Sequence, residues 1–366
     1  MALRCGIVGL PNIGKSTVFN ALTAADIPAE NYPFCTIEPN VGIVAVPDGR
    51  LDILTEIYKP KKTTPAIVEF VDIAGLVRGA SKGEGLGNQF LSHIRDVTAI
   101  IHVVRCFVDE NVTHVEGSIS PIRDVETIES ELMIKDLDSV EKQLHKTLKK
   151  SRSGDKDAKI EAALLEKIKN HLDNLEPVRS LELTKEEKEM AKQFFLLTMK
   201  PVLYVANIDE DEILSGEMGA FSKALFHYAE KTNAKAIKLC GKLEHEISTL
   251  EAEEKIEFLQ EYKLTEPGLD KLIHGAYAML NLQSFYTAGD DEVRAWTIKK
   301  GFKAPQAAGE IHTDFERGFI KAAIFKYDDI VQYRSEKILK EKGLISLQGK
   351  EYVMEENDCV FFHFNV

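Results

Sequence analysis

The feature that most constrains this chain is a glycine-rich segment near its N-terminus, Gly9-Leu10-Pro11-Asn12-Ile13-Gly14-Lys15-Ser16. It matches the pattern G-x-x-x-x-G-K-[ST] at every fixed position. A short apolar run, residues 3–8, precedes it, and a predicted helix, residues 16–24, follows it. A strand, a glycine loop and a helix in this order place backbone N–H groups and a helix N-terminus around an anion. The segment therefore predicts a site for the phosphates of a nucleotide.

Each position of this loop has an expected role. Lys15 reaches the β- and γ-phosphates, and the Ser16 hydroxyl binds Mg²⁺. The glycines let the backbone turn its amides inward. The residues expected to bind the nucleotide in this segment are Asn12, Ile13, Gly14, Lys15, Ser16 and Thr17.

A second motif follows about sixty residues later, where the apolar run 66–71 ends in Asp72-Ile73-Ala74-Gly75. At the carboxyl end of a strand, Asp72 would lie beside the phosphate loop and orient the water shell of Mg²⁺. The Gly75 amide would contact the γ-phosphate, so Lys15 and Gly75 are the expected catalytic contacts there. Thr36, in the loop 32–39, is a candidate second Mg²⁺ ligand, which would make that loop a nucleotide-dependent switch.

The chain alternates apolar runs with helical stretches, which predicts an α/β fold with a mostly parallel sheet covered by helices on both faces. The further runs are 98–104 and 202–206. Residues 125–175 interrupt this pattern with two apolar stripes at helical spacing, separated by a turn at 151–155. They predict an antiparallel coiled-coil hairpin, with two ordinary helices packed on the sheet as the alternative.

The expected domains follow from these patterns. A nucleotide-binding domain takes up 1–124 and 184–280, a helical coiled-coil insertion 125–183, and a small α+β domain 281–366. Thr184 and Glu187 predict a capping box that begins the helix after the insertion. The segment 359–364 is expected to be a closing strand.

The base-recognition segment departs from the usual guanine pattern, N-K-x-D. After the run 202–206 the chain reads Asn207-Ile208-Asp209-Glu210, with Ile208 in place of lysine and Glu210 in place of aspartate. The additional methylene of Glu210 would misplace a carboxylate that has to accept two hydrogen bonds from guanine. The base pocket is therefore not expected to favour guanine strongly, which makes adenine a plausible base, and a relaxed guanine site served by Asp209 is the alternative.

The catalytic apparatus departs from the usual pattern as well, because Leu76 follows Gly75 where many GTPases have a glutamine that positions water. Hydrolysis must then use another polar group, the backbone or a partner. His114, in a later polar loop, is a candidate for positioning water, and a solvated loop histidine is the alternative. The Asn12 amide is a candidate for holding a K⁺ ion near the β/γ bridge, in addition to Mg²⁺.

Composition limits the partners. The formal net charge is −13 over 366 residues, which argues against general binding to nucleic acid. Contact with RNA would need local basic clusters, and two exist: Lys146, Lys149, Lys150 and Arg152, and Lys299, Lys300 and Lys303. Solvated charged surfaces are the alternative. No apolar run is long enough to cross a membrane, no signal peptide is recognisable, and five scattered cysteines predict reduced thiols in the cytoplasm.

Taken together, these motifs resemble the YchF-type Obg-like ATPases over essentially the whole chain. The resemblance includes 9–17, 34–40, 72–77, 79–88, 293–297 and 304–315. It implies a translation-factor-class GTPase fold that prefers ATP to GTP, and a C-terminal TGS domain of ubiquitin-like shape. It assigns the base motif N-x-x-E to Asn207, Ile208 and Glu210, and hydrolysis to His114. Cys240 joins the base contact in a further motif, where Gly241 replaces a more usual alanine.

The same resemblance implies association of a monomer with ribosomes and a part in translation and stress responses. Three functions follow as hypotheses from the sequence. The first is a slow ATPase switch that binds ribosomes. The second is an Obg-type GTPase, and the third is a nucleotide-controlled interaction module with little turnover.

Overall fold

The computed structural model describes residues 4–24, 40–73, 86–109, 112 and 117–365. Three residues predicted to act in the site, Thr36, Gly75 and His114, lie outside these ranges. The described residues fall into two compact units. One holds the N-terminal strand and helix with most of Glu69–Leu272, and the other comprises Ile43–Val68 and the chain from Ile273 onward.

The described part of the chain forms twelve strands in two sheets of six. The strands are β1 (Arg4–Val8), β2 (Val41–Ala45), β3 (Lys62–Thr64), β4 (Ile67–Asp72), β5 (Ala99–Arg105), β6 (Val202–Asn207), β7 (Lys235–Leu239), β8 (Leu282–Ala288), β9 (Glu292–Lys299), β10 (Phe319–Lys326), β11 (Ser346–Gln348) and β12 (Asp358–Phe364).

The helices belong mainly to the first unit and to the end of the chain. They are α1 (Lys15–Thr23), α2 (Gly49–Tyr58), α3 (Leu86–Asp96), α4 (Pro121–Arg152), α5 (Lys156–Asp173), α6 (Lys185–Ala191), α7 (Glu210–Ser215), α8 (Ala220–Lys231), α9 (Gly241–Ser248), α10 (Ala252–Glu261), α11 (Gly268–Met279), α12 (Ala304–Ile311), α13 (Thr313–Arg317), α14 (Tyr327–Tyr333) and α15 (Glu336–Glu341).

The first sheet has the strand order β2-β4-β1-β5-β6-β7, and the pairs from β4 to β7 are parallel. This confirms the α/β fold expected from the sequence. Every residue of β5 and of β6 is buried, as in parallel strands covered on both faces. Because parallel strands end at one edge, Val8, Asp72, Arg105 and Asn207 end neighbouring strands together.

The two helices expected in 125–175 are α4 and α5, which reverse direction at 153–155. Asp155 caps α5 by accepting hydrogen bonds from the amides of Asp157 and Ala158. Two members of the expected apolar stripe do not pack. Ile160 is 59% exposed near the start of α5, and Leu175 is 75% exposed because the helix ends before it.

The rest of the α5 stripe does pack, since Leu164, Ile168 and Leu172 are buried in one cluster. That cluster also takes in Val178, Ala191 and Leu196 from the segment after the hairpin, so the hairpin core is shared with its return segment. The predicted capping box is present, with Thr184 and Glu187 bonding each other's backbone amides.

A buried carboxylate fixes the return segment to α4. Asp136 accepts hydrogen bonds from the amides of Leu197 and Thr198 at 2.8 and 2.7 Å, and from the Thr198 hydroxyl at 2.7 Å. Desolvation by burial raises the pKa of this carboxyl, and the hydrogen bonds oppose that rise. The donors satisfy a charge that would otherwise be costly to bury.

The second sheet has the order β11-β10-β12-β8-β9-β3. The expected final strand is present as β12, but it lies in the interior of the sheet between β10 and β8. The strand β3 was not expected there, because it comes from residues 62–64 and pairs in parallel with β9. Ion pairs and hydrogen bonds join the same early segment to the C-terminal region, including Lys61–Asp291 and Thr64–Glu292.

Other expectations concern cysteines and membranes. Cys5, Cys106, Cys240 and Cys359 are free and buried, and burial raises the pKa of Cys5 to about 12. Within the described ranges, no helix combines the length and apolar character that a membrane span requires.

The hairpin core gives a stability prediction with an internal control. Ile168 is fully buried in the hairpin cluster, so we expect Ile168→Ala to lower the free energy of unfolding by about 2–5 kcal/mol. Ile160→Ala makes the same chemical change at an exposed position of the same helix and should change it by less than about 0.5 kcal/mol. Urea titrations followed by circular dichroism measure both, and equal losses would contradict this packing.

Candidate nucleotide-binding site

The phosphate loop connects β1 to α1. Gly14 has φ +87°, in the left-handed region that glycine tolerates, and a Cβ at this position would collide with Nδ2 of Asn207. Gly14 is also the N-cap of α1 and has no side chain to bond the first-turn amides. Those amides are therefore available to an anion at the positive end of the helix dipole.

A lysine and an aspartate meet at the phosphate end of the site. Lys15 Nζ forms an ion pair with Oδ1 of Asp72, and both side chains are largely buried. Asp72 is the last residue of β4, as the sequence predicted, and Ser16 is exposed in the first turn of α1. A hydroxyl and a carboxylate are oxygen donors of the kind that Mg²⁺ prefers when phosphates and water complete its shell. Ser16 and Asp72 therefore fit a magnesium ion.

A single buried amide connects the phosphate loop to the base-recognition segments. Asn207, at the end of β6, donates from Nδ2 to the carbonyl of Ile13 at 2.9 Å. Its Oδ1 accepts from the amide of Gly241 at 2.9 Å. Asn207 is 4% exposed, so both bonds are shielded from water. The side chain therefore sets the separation between the two ends of the nucleotide site.

A cavity of about 890 Å³ opens beside this asparagine. Seven of the predicted nucleotide-binding residues line it, and the chain brings them together from three separate segments. These are Asn12, Gly14, Thr17, Asn207, Ile208, Glu210 and Cys240. Ile13 is buried, and its carbonyl accepts the hydrogen bond from Asn207. Lys15, Ser16 and Asp72 lie at the phosphate end and do not line the cavity.

In the base-recognition segment, the carboxylates of Asp209 and Glu210 are already engaged. Ile208 is 2% exposed, and its amide donates to the carbonyl of Leu239. Asp209 caps α7 by accepting from the amide of Glu212 at 2.9 Å. Oε1 of Glu210 accepts from Lys242 Nζ at 2.7 Å, and this bond raises the pKa of Lys242. Asp209 and Glu210, the two carboxylates that the sequence singles out for base contacts, thus each already have a partner.

Cys240 lies at the N-terminus of α9 and is 3% exposed. Burial raises the pKa of its thiol, so the group is neutral at physiological pH. Its neighbour Gly241 tolerates no bulk without adjustment, since a Cβ would come within 3.2 Å of Oδ1 of Asn207. A residue with a Cβ here would press on the asparagine that joins the two ends of the site.

One wall of the cavity was not predicted. Phe107, Val108, Asp109 and Val112 line it, in the loop that follows β5. The signal was available, because this loop follows the predicted strand 98–104 at the same sheet edge as Asp72 and Asn207. Lys242, His245 and Asp211 also line the cavity and were not predicted. Thr36, Gly75 and His114 lie outside the described residues, so their roles stay predictions.

A phosphate loop, an aspartate at the end of a neighbouring strand and a base segment at the same edge of a parallel sheet define a P-loop nucleotide hydrolase. Comparisons with known proteins narrow the class. Residues 4–153 match a family model described as 50S ribosome-binding GTPase. Residues 282–365 match the model YchF-GTPase_C, described as a protein of unknown function.

Full-length relatives narrow the class further. The chain is 53% identical to the Ribosome-binding ATPase YchF of Bacillus subtilis and 51% identical to that of Escherichia coli O157:H7, each over 100% of both chains. A solved structure of the Schizosaccharomyces pombe YchF GTPase superposes with a TM-score of 0.89 at 42% identity, covering 99% of this chain and 97% of that one. The chain belongs to the YchF family.

The Asn207 bridge gives the first prediction about the site. In Asn207→Asp the carboxylate still accepts from Gly241 but cannot donate to the Ile13 carbonyl, and it places negative charge beside the phosphate loop. We expect the dissociation constant for Mg·ATP to rise at least about tenfold in calorimetry. Asn20→Asp adds the same charge at an exposed position of α1 and should leave binding unchanged. Equal affinity in Asn207→Asp and wild type would show that the bridge does not support the site.

Proposed function

We propose that this chain binds a purine nucleoside triphosphate with Mg²⁺, prefers ATP, and hydrolyses it slowly as a nucleotide-dependent switch on the ribosome. The observation that carries the proposal is the Asn207 bridge, which joins a phosphate loop to a base segment with a buried isoleucine where guanine-binding proteins have lysine. The names of the bacterial relatives, ribosome-binding ATPases, support the same activity.

The preference for ATP rests on the state of the two carboxylates in the base segment. Guanine recognition needs one carboxylate that accepts from N1–H and N2–H₂ together. Asp209 is used in capping α7, and Glu210 is paired with Lys242. Reading guanine with both oxygens of one carboxylate would compete with the contact that one of these oxygens already makes, whereas adenine presents no such pair of donors. An Obg-type GTPase remains the second candidate, since the Schizosaccharomyces pombe relative is described as a GTPase.

Binding of the triphosphate would use groups at the phosphate end. Lys15 would exchange its partner Asp72 for the β- and γ-phosphates, and Asp72 would then be free to orient the waters of Mg²⁺. Ser16 and Thr36 would be the ligands from the protein, and the ion would neutralise charge on the phosphates. Gly75 and His114 are the proposed contacts to the γ-phosphate and to water. Asn12 is the proposed K⁺ contact.

Competition against a labelled ATP analogue tests the nucleotide preference. We expect ATP to displace the label at concentrations at least about tenfold lower than GTP, because one carboxylate oxygen of Asp209 and one of Glu210 are already engaged. Lys15→Ala should weaken both nucleotides by roughly 2–3 kcal/mol, since it removes charge-assisted bonds to the phosphates. Lys223→Ala, an exposed lysine of α8, is the matched control. Tighter displacement by GTP than by ATP would favour the Obg-type GTPase. Equal rates of ATP hydrolysis in NaCl and in KCl would contradict the proposal that Asn12 holds K⁺.

A surface for ribosomal RNA is proposed at the hairpin tip, defined as Lys146, Lys149, Lys150 and Arg152. All four are exposed at the C-terminal end of α4, and among the described residues none has a carboxylate within salt-bridge distance. The second basic cluster is weaker in this respect, because Lys303 pairs with Glu351. In a chain of net charge −13, unpaired cations at the end of a long hairpin are suited to phosphate contacts. The chain is proposed to do this as a monomer in the cytoplasm.

Sedimentation with ribosomes tests the hairpin tip. We expect Lys149→Glu combined with Lys150→Glu to weaken binding at least about tenfold and to flatten the salt dependence by about one unit per lost phosphate contact. Lys223→Glu combined with Lys231→Glu makes the same change in net charge on exposed positions of α8 and should bind as wild type does. Equal pelleting of both double variants would place the ribosome contact elsewhere.

A further inference from the structure

One buried arginine next to the nucleotide cavity, Arg105, has no role in the mechanism proposed above. Arg105 is the last residue of β5 and is 1% exposed, which is unusual for arginine. The two residues before it in β5, Val103 and Val104, are apolar and buried, so a charged side chain is unexpected at the end of this strand. A buried guanidinium requires hydrogen-bond acceptors, and the position of those acceptors indicates its role.

The acceptors are three main-chain carbonyls of a single short loop. Nε donates to the carbonyl of Phe107 at 3.2 Å, Nη2 to that of Asp109 at 3.0 Å, and Nη1 to that of Val112 at 2.8 Å. The guanidinium carbon also lies 4.6 Å from the centroid of the Phe107 ring. One side chain thus holds the loop at three points.

The same loop residues form the unpredicted wall of the nucleotide cavity. Phe107, Val108, Asp109 and Val112 all line it, and Val108 is 68% exposed although it is apolar. At its start the loop is joined to the base-recognition strand, since the Cys106 amide donates to the carbonyl of Asn207 at 2.8 Å. Ile208, Glu210 and Cys240 of the base segments line the same cavity, whereas Lys15, Ser16 and Asp72 do not, which associates the loop with the nucleoside end of the site.

Only arginine can make this set of contacts from one position. The guanidinium carries five N–H donors in a planar fork, whereas a lysine ammonium is a point donor on a flexible stem. A lysine has a single ammonium group that cannot reach all three carbonyls, so at least one of them would lose its donor. The loop would then sample other conformations, and the cavity wall would lose its shape.

We propose that Arg105 is a positioning residue for the nucleoside: it holds Phe107, Val108, Asp109 and Val112 in place as the wall against which the base and ribose bind. This inference rests on the proposed nucleotide site and adds a specificity element that does not itself touch the ligand. Phosphate binding depends on Lys15, Ser16 and the amides of α1. A ligand that has phosphates but no nucleoside therefore measures phosphate binding separately from binding to the wall.

The test measures binding of Mg·ATP and of inorganic tripolyphosphate to the full chain, using competition against a labelled ATP analogue. Arg105→Lys is expected to raise the dissociation constant and the KM for ATP about tenfold, with kcat changed by less than about threefold, because binding to the wall is the same in ground and transition states. The affinity for tripolyphosphate is expected to stay within about twofold of wild type. Lys15→Ala is expected to weaken the binding of both ligands.

Hydrogen exchange shows whether the change is local. In Arg105→Lys the amides of residues 107–109 and 112 should exchange faster, while those of β5 and β6 keep their protection. Arg123→Lys is the matched control, because Arg123 also makes several bonds from one guanidinium, to Ser118 and Asp124, but does not line the cavity. It should leave both ligands unchanged. Arg105→Gln, which can reach at most two carbonyls, is expected to weaken ATP in the same selective way.

Several results would overturn the inference. Unchanged ATP affinity in Arg105→Lys and Arg105→Gln would show that the wall needs no fork of donors. Equal weakening of ATP and tripolyphosphate, or loss of the folded sheet in both variants, would assign Arg105 to stability alone. If the wild-type chain bound tripolyphosphate as tightly as ATP, the nucleoside would contribute nothing to affinity and the inference would also be wrong. A wild-type chain that binds neither ligand would instead refute the proposed nucleotide site itself.

Discussion

The structure of the site depends on the two hydrogen bonds of one buried amide. Asn207 joins the carbonyl of Ile13 in the phosphate loop to the amide of Gly241 at the start of α9. A buried amide that has both of its bonds made is rigid, because each broken bond leaves an unsatisfied group away from water. Gly14 must be glycine for the same reason, since a Cβ there would displace this side chain. The phosphate end and the base end are consequently one unit.

Around that unit, buried polar groups fix loops where apolar contacts alone would leave them free. Asp136 fixes the return segment of the hairpin through three donors, and Arg105 fixes a cavity wall through three acceptors. Glu244 binds the amides of Gly268 and Leu269 at the start of α11 in the same manner. Each example places one multivalent side chain against several main-chain groups, which specifies a single conformation more sharply than hydrophobic packing does.

The second unit contains a strand pairing that the sequence pattern did not predict. The segment 43–68 lies between two motifs of the nucleotide site and was expected in the same domain. In the structure its strand β3 pairs with β9, some 230 residues later, and Thr64 bonds Glu292. The strand β3 has only three residues, which is too short for an alternating pattern of apolar and polar residues to be recognised. Two parallel strands are also not joined by a tight turn, so no turn motif in the sequence indicates that they pair. Ile160 and Leu175 fit the helical period but lie outside the hairpin core.

The sequence by itself determined four of the six strands of the first sheet (β1, β4, β5 and β6), the phosphate loop, the aspartate at the end of β4, the capping box at Thr184 and the departure from the guanine motif. These are local signals, in which spacing and residue type fix the backbone within a few positions. Only the tertiary structure decided that Asn207 bridges the two ends of the site, that Glu210 pairs with Lys242 and that Arg105 supports a cavity wall. Those contacts join residues that are distant in sequence or buried behind a loop, and no local pattern records which groups the fold will place within hydrogen-bonding distance.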